Sequence, residues 1–401
     1  MPSKVCSLAY YCNVANQNLG DAKRAKNDEF YTQFHDIEKE MNAYLDYNPD
    51  VFRDKTILLP CDDPEWSNFT KYFAQNFERL GLKKLISTSY APNSKPKELH
   101  LQPTLFELES PQFDESKTSS NGKIFSLHRD TTGDNVINVD DLEWDYLEGD
   151  GDFRSAEITA LRDAADIIIT NPPFSLFREF LAWIVEGGKQ FIMIGNMNAA
   201  GTKFAFSLIM ENRMWLGATN FNTGMYFTVP EGFVYAPTYK FEREQNGRAV
   251  NRVPGVCWYT NVDHGRRHQP IPLMTLEDNK RFSKHKEVRG IGYLKYENYD
   301  AIEVPWTDAI PSDFEGVMGV PITFLDKYSP EQFEIVGICE NFDLYKMKTK
   351  VYSAEECRAA YLAKFGVPGT YDLNASGVLV REGQREKTYQ RVLIRHRKAE
   401  S

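Results

Sequence analysis

An α/β fold built on a doubly wound, mostly parallel sheet is what this sequence predicts, followed by a mixed α+β region. Three observations carry the prediction. Short runs of continuous apolar residues alternate with segments of helical spacing, and those helical segments close on glycine. From about Ile271 the pattern changes to short strands, aromatics, prolines and turns. Continuous apolar strands in strand–helix–strand order belong to parallel sheets covered on both faces.

The elements follow in order. Thr56-Ile57-Leu58-Leu59 is a short run of buried-strand type. Asn68 to Leu80 places Phe69, Tyr72, Phe73, Phe77 and Leu80 at helical spacing, and Gly81 stops the helix. Lys84-Leu85-Ile86-Ser87-Thr88 reads as the next strand. Residues 91–122 are polar, with Pro92, Pro96, Pro103, Pro111 and a Lys117-Thr118-Ser119-Ser120 cluster, and read as a long loop or insertion. Asp166 to Thr170 is a strand, Leu176 to Val185 a helix ended by Gly187-Gly188, and Gln190 to Ile194 another strand. A hairpin of Val378–Val380 with Tyr389–Ile394 closes the chain. There is no internal repeat. A boundary near Asn261 separates residues 1–260 from residues 261–401. In open α/β sheets ligands bind beyond the carboxyl ends of the strands. That rule singles out residues 60–63, 87–90, 149–153, 171–174 and 195–198.

At 401 residues, with 42% of them hydrophobic, the chain can bury a large domain and a smaller one. No run approaches the roughly 18 apolar residues of a membrane span. The mildly apolar segment Val5–Cys12 lacks a cleavage site, so a cytoplasmic protein is expected. Cys6, Cys12, Cys61, Cys257, Cys339 and Cys357 form no C-x-x-C pair and read as reduced thiols. Cys257, His264 and His268 have loose zinc-like spacing, but Gly265 and two arginines between the histidines suit a basic loop better, and no metal is expected. The net charge of -10 runs against nucleic acid, yet phosphate contacts depend on local patches. Residues 262–296 hold eight Lys/Arg against four acids, and the tail from Arg381 holds seven against three. Solvated faces are the plainer explanation of either patch. No G-x-G-x-x-G and no P-loop is present, which excludes the common dinucleotide and nucleoside-triphosphate sites.

Asn171-Pro172-Pro173-Phe174 carries the most chemistry. It follows Ile167-Ile168-Ile169 directly and therefore sits at a strand's carboxyl end. Two prolines fix the backbone and present the Asn side chain and the Asn-Pro carbonyls rigidly. The Asn171 side-chain oxygen and the Pro172 carbonyl can each accept a hydrogen from an exocyclic amino group. Those bonds localise the nitrogen lone pair, and Phe174 offers a ring for a base to stack on. A simple post-strand turn is the competing explanation, since Asn-Pro is turn chemistry.

A strand followed by Asn-Pro-Pro-Phe resembles the catalytic motif of amino-methyltransferases. Further stretches resemble the EcoRI-type adenine-specific (N6) DNA methyltransferase family: Asp28-Glu29-Phe30-Tyr31-Thr32-Gln33, Leu59-Pro60-Cys61-Asp62-Asp63-Pro64 with Trp66-Ser67-Asn68-Phe69, Trp258-Tyr259-Thr260-Asn261, and Gly316 to Phe324. They run in order from about residue 26 to the end. The catalytic motif alone is shared with RNA and protein-glutamine methyltransferases, whereas the full set is narrower. The resemblance implies a Rossmann-like SAM-dependent methyltransferase domain over residues 1–260. A mixed α+β target-recognition region over residues 261–401 would follow. S-adenosyl-L-methionine is then the cofactor and double-stranded DNA the substrate, with adenine flipped out of the stack.

By the same resemblance Phe30, Tyr31 and Thr32 close over the methionine end of SAM. Pro60, Cys61 and Asp62 form the loop after the first strand, with Asp62 meeting the SAM ammonium. Asp152 accepts from the SAM adenine amino group and Phe153 lines the ring. Two departures stand out: Asp62 to Ser67 has no glycine, and Ser87-Thr88-Ser89-Tyr90 offers no acid for the ribose hydroxyls. For DNA the candidates are Arg266, Arg267, Lys280, Arg281, Lys284, Lys286 and Arg289, with Arg391, Arg395 and Arg397 expected on one face of the final strand. A monomer is expected, and a cognate restriction endonuclease in the same host is an allowed partner. A methyltransferase of RNA or protein and a catalytically silent DNA-binding protein of this fold are the alternative readings.

Overall fold

The computed structural model describes residues 31–62, 67–91, 110–219, 221, 223–228, 243–245 and 248–398. Two compact units emerge. One comprises the residues up to Ala199 together with Met214–His264; the other comprises Ala200–Arg213 and the residues from Gly265 onward.

The first unit begins with β1 (Tyr31–Thr32), α1 (Phe34–Tyr47), β2 (Thr56–Leu59), α2 (Asn68–Gln75), α3 (Phe77–Leu80) and β3 (Lys84–Ser89). It continues through β4 (Lys123–Leu127), β5 (Glu143–Tyr146), α4 (Ala156–Ala164), β6 (Ile167–Thr170), α5 (Phe177–Glu186) and β7 (Gln190–Asn196). The strands β8 (Trp215–Leu216), β9 (Met225–Thr228), β10 (Arg243–Gln245), β11 (Arg248–Val253) and β12 (Val256–Thr260) complete it. Eight strands form one sheet in the order β5-β4-β3-β2-β6-β7-β12-β8. Only β3, β2, β6 and β7 run parallel to one another. The flanking strands β4, β5, β12 and β8 are antiparallel, so the sheet is mixed where a mostly parallel one was expected. In β4 and β5 buried and partly exposed positions are interspersed, the pattern of a half-solvated antiparallel edge. A second sheet joins β1, β9, β11 and β10.

Both faces of the central strands are covered. Ile57, Leu59, Ile167, Ile169, Ile192 and Ile194 share one core with Phe69, Tyr72, Phe73 and Trp258. Their neighbours Leu58, Ile168, Phe191 and Met193 point to the opposite face and are equally inaccessible. The helix expected over Asn68–Leu80 breaks at Asn76, whose Nδ2 donates to the Tyr72 carbonyl at 2.8 Å and competes with the backbone ladder.

The second unit holds α6 (Lys203–Met210), α7 (Leu276–Phe282), β13 (Ala301–Glu303), β14 (Val317–Pro321), β15 (Phe333–Ile338), α8 (Ala354–Phe365), β16 (Val378–Arg381), β17 (Gln384–Lys387) and β18 (Arg391–His396). The expected terminal hairpin is corrected here. β16 pairs with β17, whereas β18 runs between β14 and β15 in the sheet β13-β14-β18-β15. Glu382 and Gly383, at φ 51° and 77°, supply the two-residue turn that closes β16 onto β17. Helix α6 belongs to this unit through Phe206, which packs edge-on against Tyr345 with ring centroids 5.6 Å apart. No helix among the described residues is long and apolar enough to cross a membrane.

Candidate active site

Strand β2 is bonded to β3 on one side and to β6 on the other, so the chain reverses its direction of progress across the sheet between β2 and β6. Such a switch point opens a crevice beyond the carboxyl ends of the two strands. Here those ends are tied together: the Thr170 hydroxyl, last in β6, donates to the Pro60 carbonyl at 2.8 Å. The Asp62 N–H donates to the Thr88 carbonyl at 2.8 Å, which holds the loop against β3. Cys61 makes the intervening turn at φ 64°, in the left-handed region where a glycine is the usual choice. The glycine-free loop therefore still turns sharply. Asp62 is buried, and its Oδ1 accepts from the Ser67 hydroxyl at 2.6 Å. That same hydroxyl accepts from the Phe69 N–H and caps α2, so the acid and the helix start are positioned together. The Ser87 hydroxyl donates to the Asp62 carbonyl.

The motif Asn171-Pro172-Pro173-Phe174 leaves β6 at this point. Pro172 is buried and Asn171 half-buried; one 3-10 turn over Phe174–Leu176 then leads into α5. Phe174 meets Phe227 of β9 edge-to-face, with centroids 6.3 Å apart at 83°. Phe227 is opposite Thr32 in the β1–β9 ladder, and Tyr31 is opposite Thr228. The Thr32 carbonyl accepts from Asn68 Nδ2 at 2.7 Å. Thr32, the β2 loop and the Asn-Pro-Pro-Phe motif thus converge. Phe30 lies outside the described residues.

Asp152 is brought in by Gly151, which has φ 86° and sits so close to β3 that a Cβ there would lie 2.4 Å from the Ser89 carbonyl oxygen. The Ala91 N–H donates to the Asp150 carbonyl at 2.8 Å and closes the same contact. Asp152 is held by Arg154, with Nη2 to Oδ2 at 2.5 Å, and this bond keeps its carboxyl below the usual carboxylate range. Phe153 is 1% exposed, with its ring 4.3 Å from that of Phe180 and 5.6 Å from that of Trp183.

Two further residues complete the cluster: Phe227, and Tyr90, which lies in the 87–90 stretch but carries no role by sequence. The Tyr90 hydroxyl shares a hydrogen bond with the Cys61 thiol and accepts one from the Phe153 N–H. Burial, with Cys61 and Asp152 alongside, pushes its ionisation far above the usual range, so it stays a neutral donor. Tyr90 occupies the position after the second strand where an acid was missed. Phe227 carries no motif of its own.

A polar cofactor fits these residues. Asp62 offers a buried carboxylate, Asp152 an ionised one, and the buried hydroxyls of Thr32 and Thr88 have no hydrogen-bond partner among the described residues. The candidate zinc ligands are otherwise engaged: His264 Nε2 is 2.9 Å from the Leu216 carbonyl and His268 Nδ1 is 2.7 Å from Glu331.

The cationic candidates of the second unit divide into two groups. Arg391 was expected on an exposed strand face; it is 8% exposed and bidentate on Glu303, with Nη2 to Oε1 at 2.6 Å. Arg267 is buried and donates to Asn212, and Arg266 pairs with Asp326. Arg395 pairs with Glu334 at 2.7 Å, and Arg397 donates to the Pro330 carbonyl at 2.6 Å. Arg281 pairs with Glu277 and Lys284 with Asp308 at the surface. Lys280, Lys286 and Arg289 are exposed and make no ion pair with a described residue.

A family model described as adenine-specific methyltransferase EcoRI matches residues 18–397. The Type II methyltransferase M.EcoRI of Escherichia coli is 40% identical over 331 residues, covering 82% of this chain and 92% of that protein. The Type II methyltransferase M.MpnI of Mycoplasma pneumoniae is 35% identical over 334 residues, 82% and 89% of the two chains. M.MgeORF184P of Mycoplasma genitalium is 33% identical over 321 residues, 80% and 86%. No solved structure matches the chain. With a family model spanning nearly its whole length and relatives covered almost end to end, this chain belongs to the EcoRI family of adenine-specific methyltransferases.

Proposed function

We propose that this protein is a site-specific DNA methyltransferase that moves a methyl group from S-adenosyl-L-methionine to N6 of an adenine turned out of the duplex. The observation that carries this reading is the placement of Asn171-Pro172-Pro173-Phe174 at the carboxyl end of β6, joined through the Thr170–Pro60 bond to the loop holding Asp62. The first unit then serves as a doubly wound, Rossmann-like catalytic domain in the cytoplasm. The second reads the DNA target, and an endonuclease of the same specificity would be the partner in a restriction–modification pair.

Bound SAM supplies an electrophilic methyl group on a sulfonium, so no metal and no strong base is required of the protein. The protein's task is to hold and bias the base. Unstacking an adenine costs a few kcal/mol, which the pocket returns through contacts to the flipped ring. The Asn171 side-chain oxygen and the Pro172 carbonyl accept the two N6 hydrogens. Both bonds strengthen as the nitrogen becomes tetrahedral, so they favour the transition state over the bound base. Phe174, braced by Phe227, stacks on the ring and fixes the direction in which the lone pair points. After transfer the extra proton leaves a strongly acidic ammonium. At the cofactor end Asp62 takes the ammonium, and the Thr32 and Thr88 hydroxyls and Asp152 take polar groups. The Tyr90 clamp keeps the Cys61 and Asp152 loops in register.

Tritiated SAM offered with DNA, RNA and protein is the direct test: label should enter duplex DNA alone, and label in RNA or protein instead would refute the reading. The clamp has its own test. Tyr90→Phe removes the hydroxyl and both of its hydrogen bonds with little change in volume, and cofactor binding should weaken by about 1 kcal/mol, several-fold in Kd. Calorimetry giving an unchanged Kd would remove Tyr90 from the cofactor site.

A further inference from the structure

The second unit carries an apolar point on a cationic mount. Phe282, the last residue of α7, is 69% exposed and Ile291 is 62% exposed. Between them the chain folds back onto the final turn of α7: the Gly290 N–H donates to the Lys280 carbonyl, and the Gly292 N–H to the Val288 carbonyl, each at 2.8 Å. Ser283 and Val288 are buried and pin the loop from beneath. Ile291 stands between Gly290 and Gly292, at φ 80° and 85°, conformations that glycine takes at little cost. The loop is therefore fixed while its tip is presented to solvent.

Single exposed apolar side chains are ordinary, so exposure alone decides nothing. The charge around this pair does. Residues 280–291 contain Lys280, Arg281, Lys284, Lys286 and Arg289 against the single acid Glu287, in a chain of net charge -10. Two of the nearby acids are already paired with cations. Asp308 lies 2.7 Å from both Lys284 and His285, Glu277 lies 2.9 Å from Arg281, and Glu287 accepts from Trp306 Nε1 at 3.4 Å. His285 also stacks on the half-exposed Trp306 ring, with centroids 4.7 Å apart at 8°. Among the described residues Lys280, Lys286 and Arg289 make no ion pair, and they outnumber Asp278 and Glu287, the nearby acids that pair with no cation. An apolar tip among unpaired cations is poorly matched to a protein interface core, which sheds charge. It is well matched to a duplex, where cations meet phosphates and an apolar side chain enters between base steps.

We infer that the Phe282–Ile291 loop is a wedge. It enters a groove of the bound duplex and unstacks one base step, while Lys280, Lys286 and Arg289 hold the flanking phosphates. The inference rests on the DNA reading above and adds a distortion of the duplex that the second unit makes by itself.

The experiment uses the full chain and a duplex that the wild-type protein methylates, carrying a donor–acceptor dye pair at its ends and a fluorescent adenine analogue moved step by step along it. Wild type should shorten the end-to-end distance and brighten the analogue at one step other than the methylated adenine. The double variant Phe282→Ala/Ile291→Ala should lose both signals and bind about tenfold more weakly, with its salt dependence unchanged. The triple variant Lys280→Gln/Lys286→Gln/Arg289→Gln should keep the bright step at saturating protein and lose about two to three units of salt slope. A double variant that bends and brightens the duplex as wild type does overturns the wedge. So does a wild type that methylates the duplex but unstacks no second step. A wild type that neither binds nor methylates any duplex overturns the DNA reading itself, a separable failure.

Discussion

Replacing Asn171 with alanine should reduce methyl transfer by about 10²–10³-fold or more, the usual cost of deleting a preorganised polar group at the reacting atom. Binding of cofactor and of duplex should be nearly unchanged. Asn171 leaves β6 on a Pro172-Pro173 backbone that the two proline rings keep rigid whatever side chain precedes them. The loss should therefore fall on kcat rather than on KM, as expected of an interaction that strengthens only as the nitrogen becomes tetrahedral. Asn171→Asp keeps an acceptor oxygen at the same place and should lose less than alanine. Single-turnover kinetics with saturating SAM and DNA separate these effects. An alanine variant within a few-fold of wild type would end the assignment of this motif to the chemistry.

The largest effect on stability is expected in the second unit, at Glu303. Its carboxylate receives Arg391 through Nε at 3.1 Å and Nη2 at 2.6 Å, and the Tyr296 hydroxyl as well, with all three side chains buried. Glu303→Ala strands the guanidinium in an apolar setting, and losing one partner of a buried pair costs about 3–5 kcal/mol. The paired change Glu303→Leu/Arg391→Met removes both charges and should recover most of that loss. Urea denaturation measures both variants. A cost below about 1 kcal/mol for the single change would mean that water reaches the pair and that Arg391 is freer than its burial indicates.

Arg391 also shows where reading the sequence fails. Alternation places Arg391, Arg395 and Arg397 on one face of a final strand, but alternation alone does not say whether that face is covered, and the strand ends at His396. β18 lies between two other strands, and a central strand buries whatever it carries at its covered positions, an arginine included when a Glu303 is there to meet it. Strand position depends on pairings far apart in sequence, and no local pattern encodes it. The central strands β2, β3, β6 and β7 were legible because full burial forces continuous apolar runs. The outer strands β4 and β5, with their mixed polarity, were not. At the site, the Asn-Pro-Pro-Phe segment and the Asp62 loop were legible from their position after strands. Tyr90 and Phe227 were not, because each matters only through contacts with Cys61, Phe153 and Phe174 that the fold creates. For Phe153 a motif gives the residue, while its packing against Phe180 and Trp183 is a contact that only the fold creates.

Adenine-N6 methylation of duplex DNA at the β2–β6 crevice is checked by mass spectrometry of the nucleosides released from duplex DNA after reaction with SAM. N6-methyldeoxyadenosine should be the one new nucleoside with the wild-type protein, and none should form with Asn171→Ala. A methylated cytosine, or N6-methyldeoxyadenosine formed equally by the alanine variant, would contradict it.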